Sequence, residues 1–277
     1  MLSKHALREF SRCHYPVDNY HGVPIYIDEE GRKCPAATYV IEQMYQTGRI
    51  HPPAHSTDGY DRTTSRPDII FWVAKMRGRL MHERIAAKMD DDYDWDIHPI
   101  IRDIRDCNGV DATRHEVVSA IAEYRDEHIR MYPVNIIERD VQSLLRAWDK
   151  WWDRRCYIDH NRWEIIRAEL GLIGDHHSWD ARWGVRPDLI AHDHGEDDAV
   201  GICLKTGHHI TDAHRTQAVV TLLGTTYLDR VVIVRLDVER EWYDTEVIDE
   251  SDVEEQPFTG FYSGFCKELV KIYRSIN

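Results

Sequence analysis

Residues 183–207, WGVRPDLIAHDHGEDDAVGICLKTG, place a carboxylate and an amine at a spacing that could do chemistry. Residues 183–191 alternate well enough to be a strand, with Asp188 near its middle. Residues 195–198 pair a glycine with acids and contain no apolar side chain, so they predict a turn. Residues 199–205 are apolar up to Lys205, which predicts a short buried strand. Side chains two apart on a strand share a face, so Cys203 and Lys205 point the same way. If the two strands pair, Asp188 comes close to that face. A carboxylate beside a lysine is a place to hold a divalent cation and a phosphate. Cys203 is the odd member, because a thiolate suits zinc better than magnesium and a neutral thiol on a buried strand is ordinary packing.

Arg186-Pro187-Asp188, followed by a strand ending in Lys205-Thr206-Gly207, resembles the PD-(D/E)xK nuclease superfamily, its RecB-like exonuclease branch in particular. Three further motifs follow that branch. Gly78-Arg-Leu-Met-His82-Glu83 matches a G-x-x-x-H-E helix whose histidine ligates the metal. Residues 163–174 form a β-rich run with Glu169 where the family often carries a glutamate. His214-Arg215-Thr-Gln217 opens a helix matching Q-x-x-x-Y at Gln217, with Thr221 at the tyrosine position. The resemblance spans residues 65 to about 228, and the order and spacing of its motifs make it specific.

The resemblance implies a metal-dependent DNA nuclease, an exonuclease acting on single strands or ends. It implies Mg2+ or Mn2+ held by His82, Asp188, Glu169 and Cys203, the imidazole nitrogen favouring manganese. Lys205 would orient the attacking water or offset charge on the phosphate, and Gln217 would position the water or the nucleic-acid backbone. Asp188 and Glu169 complete the catalytic group, and Arg186, Arg215 and Gln217 are the expected nucleic-acid contacts. One departure stands out: Cys203 occupies the position of the acid two before the lysine. Either Glu169 or Glu196 completes the site, or the enzyme works weakly with manganese, or a degenerate nuclease fold serves nucleic-acid binding or assembly. An iron–sulfur cluster is not expected, since Cys266 stands alone near the C-terminal end and Cys107 and Cys156 are isolated. Protein partners from a replication, repair or defence pathway fit the same reading.

The elements that must position these residues read as α/β, with a restriction-endonuclease-like core: a small mixed sheet flanked by helices, plus an N-terminal and an inserted helical region. Residues 1–64 form an irregular N-terminal region with a hairpin over 21–36 and a short helix over 35–48. Residues 65–160 form a helical region carrying the G-x-x-x-H-E helix over 65–89, a helix from Asp111 to Met131 broken by Pro133, and another over 135–154. Residues 161–277 form the nuclease core, with strands over 165–173, 184–192, 199–205, 230–236 and 242–248 and helices over 210–227 and 264–276. The acidic run 90–96, DDDYDWD, reads as solvated. Trp148, Trp151 and Trp152 read as packing rather than a base-stacking platform.

Composition sets the outer limits. Hydrophobic residues make up 42% and charged residues 30% of 277, the balance of a folded, water-soluble chain large enough for a sizeable core. No apolar run approaches the roughly 20 residues that span a bilayer, and residues 1–15 lack a signal-peptide core, so a cytoplasmic protein without a membrane partner is expected. Cys13, His14, His21 and Cys34 lack a compact C-x-x-C pair and read as scattered rather than as a zinc site. His176-His177 and His208-His209 read as polar loop residues. A net charge of -14 argues against a generic polyanion binder and leaves room only for a local basic groove.

Overall fold

The structure, a computed structural model, describes residues 18–20, 22–47, 65–94, 96–158, 163–176, 181–207, 209–225, 227–253 and 258–277. In chain order these form β1 (Asp18–Tyr20), β2 (Val23–Ile27), β3 (Lys33–Pro35), α1 (Ala37–Gln46), α2 (Pro67–Met89), α3 (His98–Asp106), α4 (Arg114–Arg125) and α5 (Pro133–Asp153). A π-helical turn, Arg154–Ile158, leads to β4 (Trp163–Ala168), β5 (Leu172–His176), β6 (Ala181–Val185), β7 (Leu189–Asp193) and β8 (Asp198–Lys205). Then come α6 (Asp212–Gly224), β9 (Arg230–Asp237), β10 (Trp242–Asp249), α7 (Glu250–Val253) and α8 (Phe258–Ile276). The zinc candidates Cys13, His14 and His21, and His177 and His208 of the two histidine pairs, lie outside the described residues.

Period-two alternation along the central strands divides the molecule into layers. Leu189 and Ala191, Val200, Ile202 and Leu204, and Val232, Val234 and Leu236 bury one face of the sheet against α2 to α5. Ile190, Cys203, Val231 and Ile233 bury the other face against α1, α6, α8 and the β5–β6 hairpin. The result is a mixed α/β fold in which a five-stranded sheet, order β10-β9-β8-β7-β4, lies between helices. Within this sheet β8 and β9 pair in parallel and the other described pairs run antiparallel; α6 makes the crossover between β8 and β9. A three-stranded sheet β1-β2-β3 meets the β5–β6 hairpin through a bridge from Ala36 to Gly184. The approach is so close that a Cβ on Gly184 would sit 1.9 Å from the Tyr26 ring.

Several local expectations need correcting. Asp188 does not lie inside a strand: β6 stops at Val185 and β7 starts at Leu189, because Pro187 has no N–H to continue a ladder. Glu169 does not lie on a strand either, but follows β4 in the left-handed region at φ 51°. The helix expected from Asp111 is capped by Thr113, whose side chain and that of Glu116 form a reciprocal capping box, and it ends at Arg125. Pro133 opens α5 rather than merely breaking its predecessor. The acidic run is not wholly solvated, since the Asp90 carboxylate is buried and accepts from the Ala168 N–H at 2.8 Å. Trp148 and Trp151 are buried in the core, and Trp151 donates to Thr245 Oγ1 at 3.0 Å. Among the described residues no helix is long and apolar enough to cross a membrane.

Candidate functional site

The strand break at Pro187 frees Asp188 to turn its carboxylate onto the end of β8, where Asp188 Oδ2 accepts from the Leu204 N–H at 2.5 Å. The left-handed turn at Glu169 sends that residue's N–H to the Asp188 carbonyl at 2.9 Å, so the end of β4 and the start of β7 are tied together. A non-glycine residue in that region costs about 1–2 kcal/mol, and such conformations collect at functional sites. The third member arrives from α2, whose face carrying Leu80, Met81 and Ile85 is sunk in the core. Gly78 lies one turn before His82, and its missing side chain leaves Thr206 Oγ1 only 3.6 Å from where a Cβ would be. The helix therefore rests directly on the Lys205-Thr206-Gly207 end of β8.

His82, Glu169 and Asp188 converge there, one donor atom from each lying within 4.8 Å of the others. His82 Nδ1 is 2.8 Å from Asp188 Oδ1 and 3.9 Å from Glu169 Oε1. Arg186 Nε holds the far oxygen of Glu169 at 2.8 Å. Burial, then the neighbouring Asp188 charge, raises the Glu169 carboxyl to about 7. Burial also works against a charged Asp188, but His82, Lys205 and the Leu204 N–H outweigh it and hold its carboxyl below the ordinary range. For His82 burial opposes protonation and the two carboxylates overcome it, raising the imidazole. Two carboxylate oxygens and one imidazole nitrogen form a donor set that could hold a divalent metal ion.

Lys205 reaches the same end of the sheet from the opposite face. Its Nζ donates to Gln217 Oε1 of α6 at 3.1 Å, and its charge is felt at both Asp188 and His82. Thr221 is buried and donates to the Gln217 carbonyl at 2.8 Å. Cys203 shares the face of Lys205 but is buried in the core under α6, and burial pushes its thiol up to about 12. It stands outside the three-residue cluster. Glu196 lies in the turn between β7 and β8, away from Asp188, and pairs with Arg230. Arg215 is engaged by Glu246 at 2.7 and 3.0 Å and by Asp212 at 3.0 Å.

Two neighbours of the cluster carried weak signals in the sequence. Glu83, inside the G-x-x-x-H-E motif, accepts from the Tyr93 hydroxyl at 3.1 Å. Burial and then Glu83 and Glu169 raise the Tyr93 phenol. Asp90 fixes the end of β4 next to Glu169, and only its place just after a long helix hinted at a capping role. Beyond Thr206 and Gly207 opens a cleft of about 580 Å3, bounded by α2, α4, α5 and the β9–β10 turn. Its lining sets five arginines against five acids, so it is not a one-sign basic groove. No protein-family model matches the chain, and no curated protein matches it.

Proposed function

We propose that this chain is a metal-dependent DNA nuclease of the PD-(D/E)xK type, RecB-like branch, hydrolysing phosphodiester bonds on single strands or at ends. The observation that carries the reading is the meeting of His82, Glu169 and Asp188, from three separate parts of the chain, beside Lys205. The mixed sheet supports it: β4, β7 and β8 run antiparallel, and α6 crosses over to a parallel β9, with the lysine at the end of β8.

His82, Glu169 and Asp188 would hold Mg2+ or Mn2+, which supplies charge neutralisation and an activated water when bound. Arg186 fixes the Glu169 carboxylate so that one oxygen stays turned to the cluster. Lys205, aligned by Gln217, presents a positive charge to the phosphate oxygens, whose negative charge grows as the attacking oxygen approaches. Gln217 accepts from Lys205 through its oxygen, which leaves its amide N–H groups for water or a phosphate.

The decisive experiment is a nuclease assay on single- and double-stranded DNA with Mn2+. Wild type is expected to release nucleotides, Asp188→Ala to lose the metal-dependent activity, and Lys205→Ala to fall by at least about 100-fold. Equal activity in all three proteins would remove the assignment. Cys203 favours a second reading, a degenerate nuclease fold that binds nucleic acid without cutting it. That reading expects DNA binding with no turnover in wild type, and activity appearing in Cys203→Asp.

A further inference from the structure

At the other end of β7 two histidine rings meet edge to face. His192 lies on β7 and His194 just past it, so their side chains emerge on one face. Their Nδ1 atoms are 3.1 Å apart and their rings stand at 77°. Each ring's second nitrogen meets a carboxylate: His192 Nε2 lies 3.0 Å from Asp197 Oδ1, and His194 Nε2 lies 3.1 Å from Glu164 Oε2. The scaffold beneath is firm. Glu164 is the cross-strand partner of His192 in β4. The buried Asp193 accepts from the Gly195 N–H and from Arg230, which fixes the turn, and Asp197 adopts a left-handed φ of 62°.

The protonation pattern follows from the partners. An ionised carboxylate only accepts, so both Nε2 atoms carry the hydrogen. Two Nδ1 lone pairs brought together across 3.1 Å repel each other unless a positive particle shares them. Imidazoles with a carboxylate on the far nitrogen are the usual form of histidine metal ligands. With metal–nitrogen bonds of about 2.0–2.1 Å, nitrogens this far apart subtend about 95–100° at a shared ion, within the range of tetrahedral or octahedral coordination.

We infer that His192 and His194 form a second divalent-cation site, separate from the His82 cluster, which takes a borderline transition-metal ion (Ni2+, Cu2+ or Zn2+) through both Nδ1 atoms, with water completing the shell. Imidazole pairs select this end of the first-row series over magnesium. The ion braces β4, β7 and the β7–β8 turn from outside. The inference does not depend on nuclease activity.

Titration calorimetry with Ni2+ tests it in the full chain. Asp188→Ala, which disables the first cluster, is expected to bind one ion per chain, and Asp188→Ala/His192→Gln/His194→Gln is expected to lose it. Glu164→Gln in the Asp188→Ala background is expected to weaken binding by about tenfold, the effect of removing an outer partner. Cu2+ in the Asp188→Ala protein is expected to show coupling to two nitrogens by electron paramagnetic resonance. Circular dichroism melts check that each variant is folded, and Glu164→Gln keeps both histidines should the triple variant fail. Absence of binding in Asp188→Ala would leave a shared proton between the rings and overturn the site. Undiminished binding in the triple variant would assign the ion to other histidines and overturn it equally.

Discussion

Glu169 sets how the proposed metal centre responds to pH. Its carboxyl titrates near 4.5 in an unfolded chain and at about 7 in the folded one. Between those values the folded, metal-free protein holds a proton that the unfolded chain has released. Raising the pH through that window therefore lowers its stability. A cation competes with the same proton for the same oxygen, so its affinity moves the other way. Mn2+ titrations are expected to tighten from about pH 6 to about pH 8, and Glu169→Gln is expected to bind more weakly with a flatter profile. An affinity that does not change over that range would argue that Glu169 is not a ligand.

At this scale much was legible. Asp188, Lys205, His82 and Gln217 announced themselves by order and spacing, and the structure brings His82 and Asp188 to 2.8 Å and Lys205 and Gln217 to 3.1 Å. The backbone that makes this possible was not legible. A left-handed glutamate leaves no compositional trace, unlike a glycine in the same conformation. His192 and His194 carry no signal in the sequence because a polar alternation at a strand end is ordinary, and only coordinates show their Nδ1 atoms 3.1 Å apart.

Among the elements, close approach is controlled by glycines. The Trp183 indole is wedged between Gly174 of β5 and Gly224 at the end of α6, where added Cβ atoms would lie 2.5 and 2.6 Å from the ring. Gly224→Ala is expected to lower stability by about 1–3 kcal/mol through overpacking. Gly78 has room for one methyl, so Gly78→Ala is expected to be neutral or to stabilise by up to about 1 kcal/mol. Denaturant melts of the two variants read both effects, and a stabilised Gly224→Ala would contradict the wedge. Strand limits were the part of this level hardest to read. Residues 184–192 present one alternating pattern, and the interruption at Pro187 is visible only when β6 and β7 join different sheets. The hairpin β2–β3 and the helix α1 were easier, because turn residues and a dense apolar stripe mark them locally.

For the whole molecule, charge is the dominant long-range quantity. With 35 basic and 49 acidic residues the chain repels itself at neutral pH. Salt screens that repulsion over roughly 10 Å at 0.1 M. The melting temperature is expected to rise between about 0.05 M and about 1 M KCl, and a flat or falling Tm would show that local ion pairs such as Arg125–Asp140 outweigh the net field. The α/β class was readable from runs of strand and helix patterns. The partition into separate regions was not informative about packing: α2 to α5 and one face of the sheet share a single core. An amphipathic stripe reveals that a helix is covered, but not by what.

Helix α2 carries His82 about two turns before its end and, through Asp90 just past its last residue, grips the amide next to Glu169. Two of the three groups of the proposed metal centre are thus mounted on one rod. Should that rod slip or fray, both leave together, and the centre fails as an on–off device instead of losing grip by degrees.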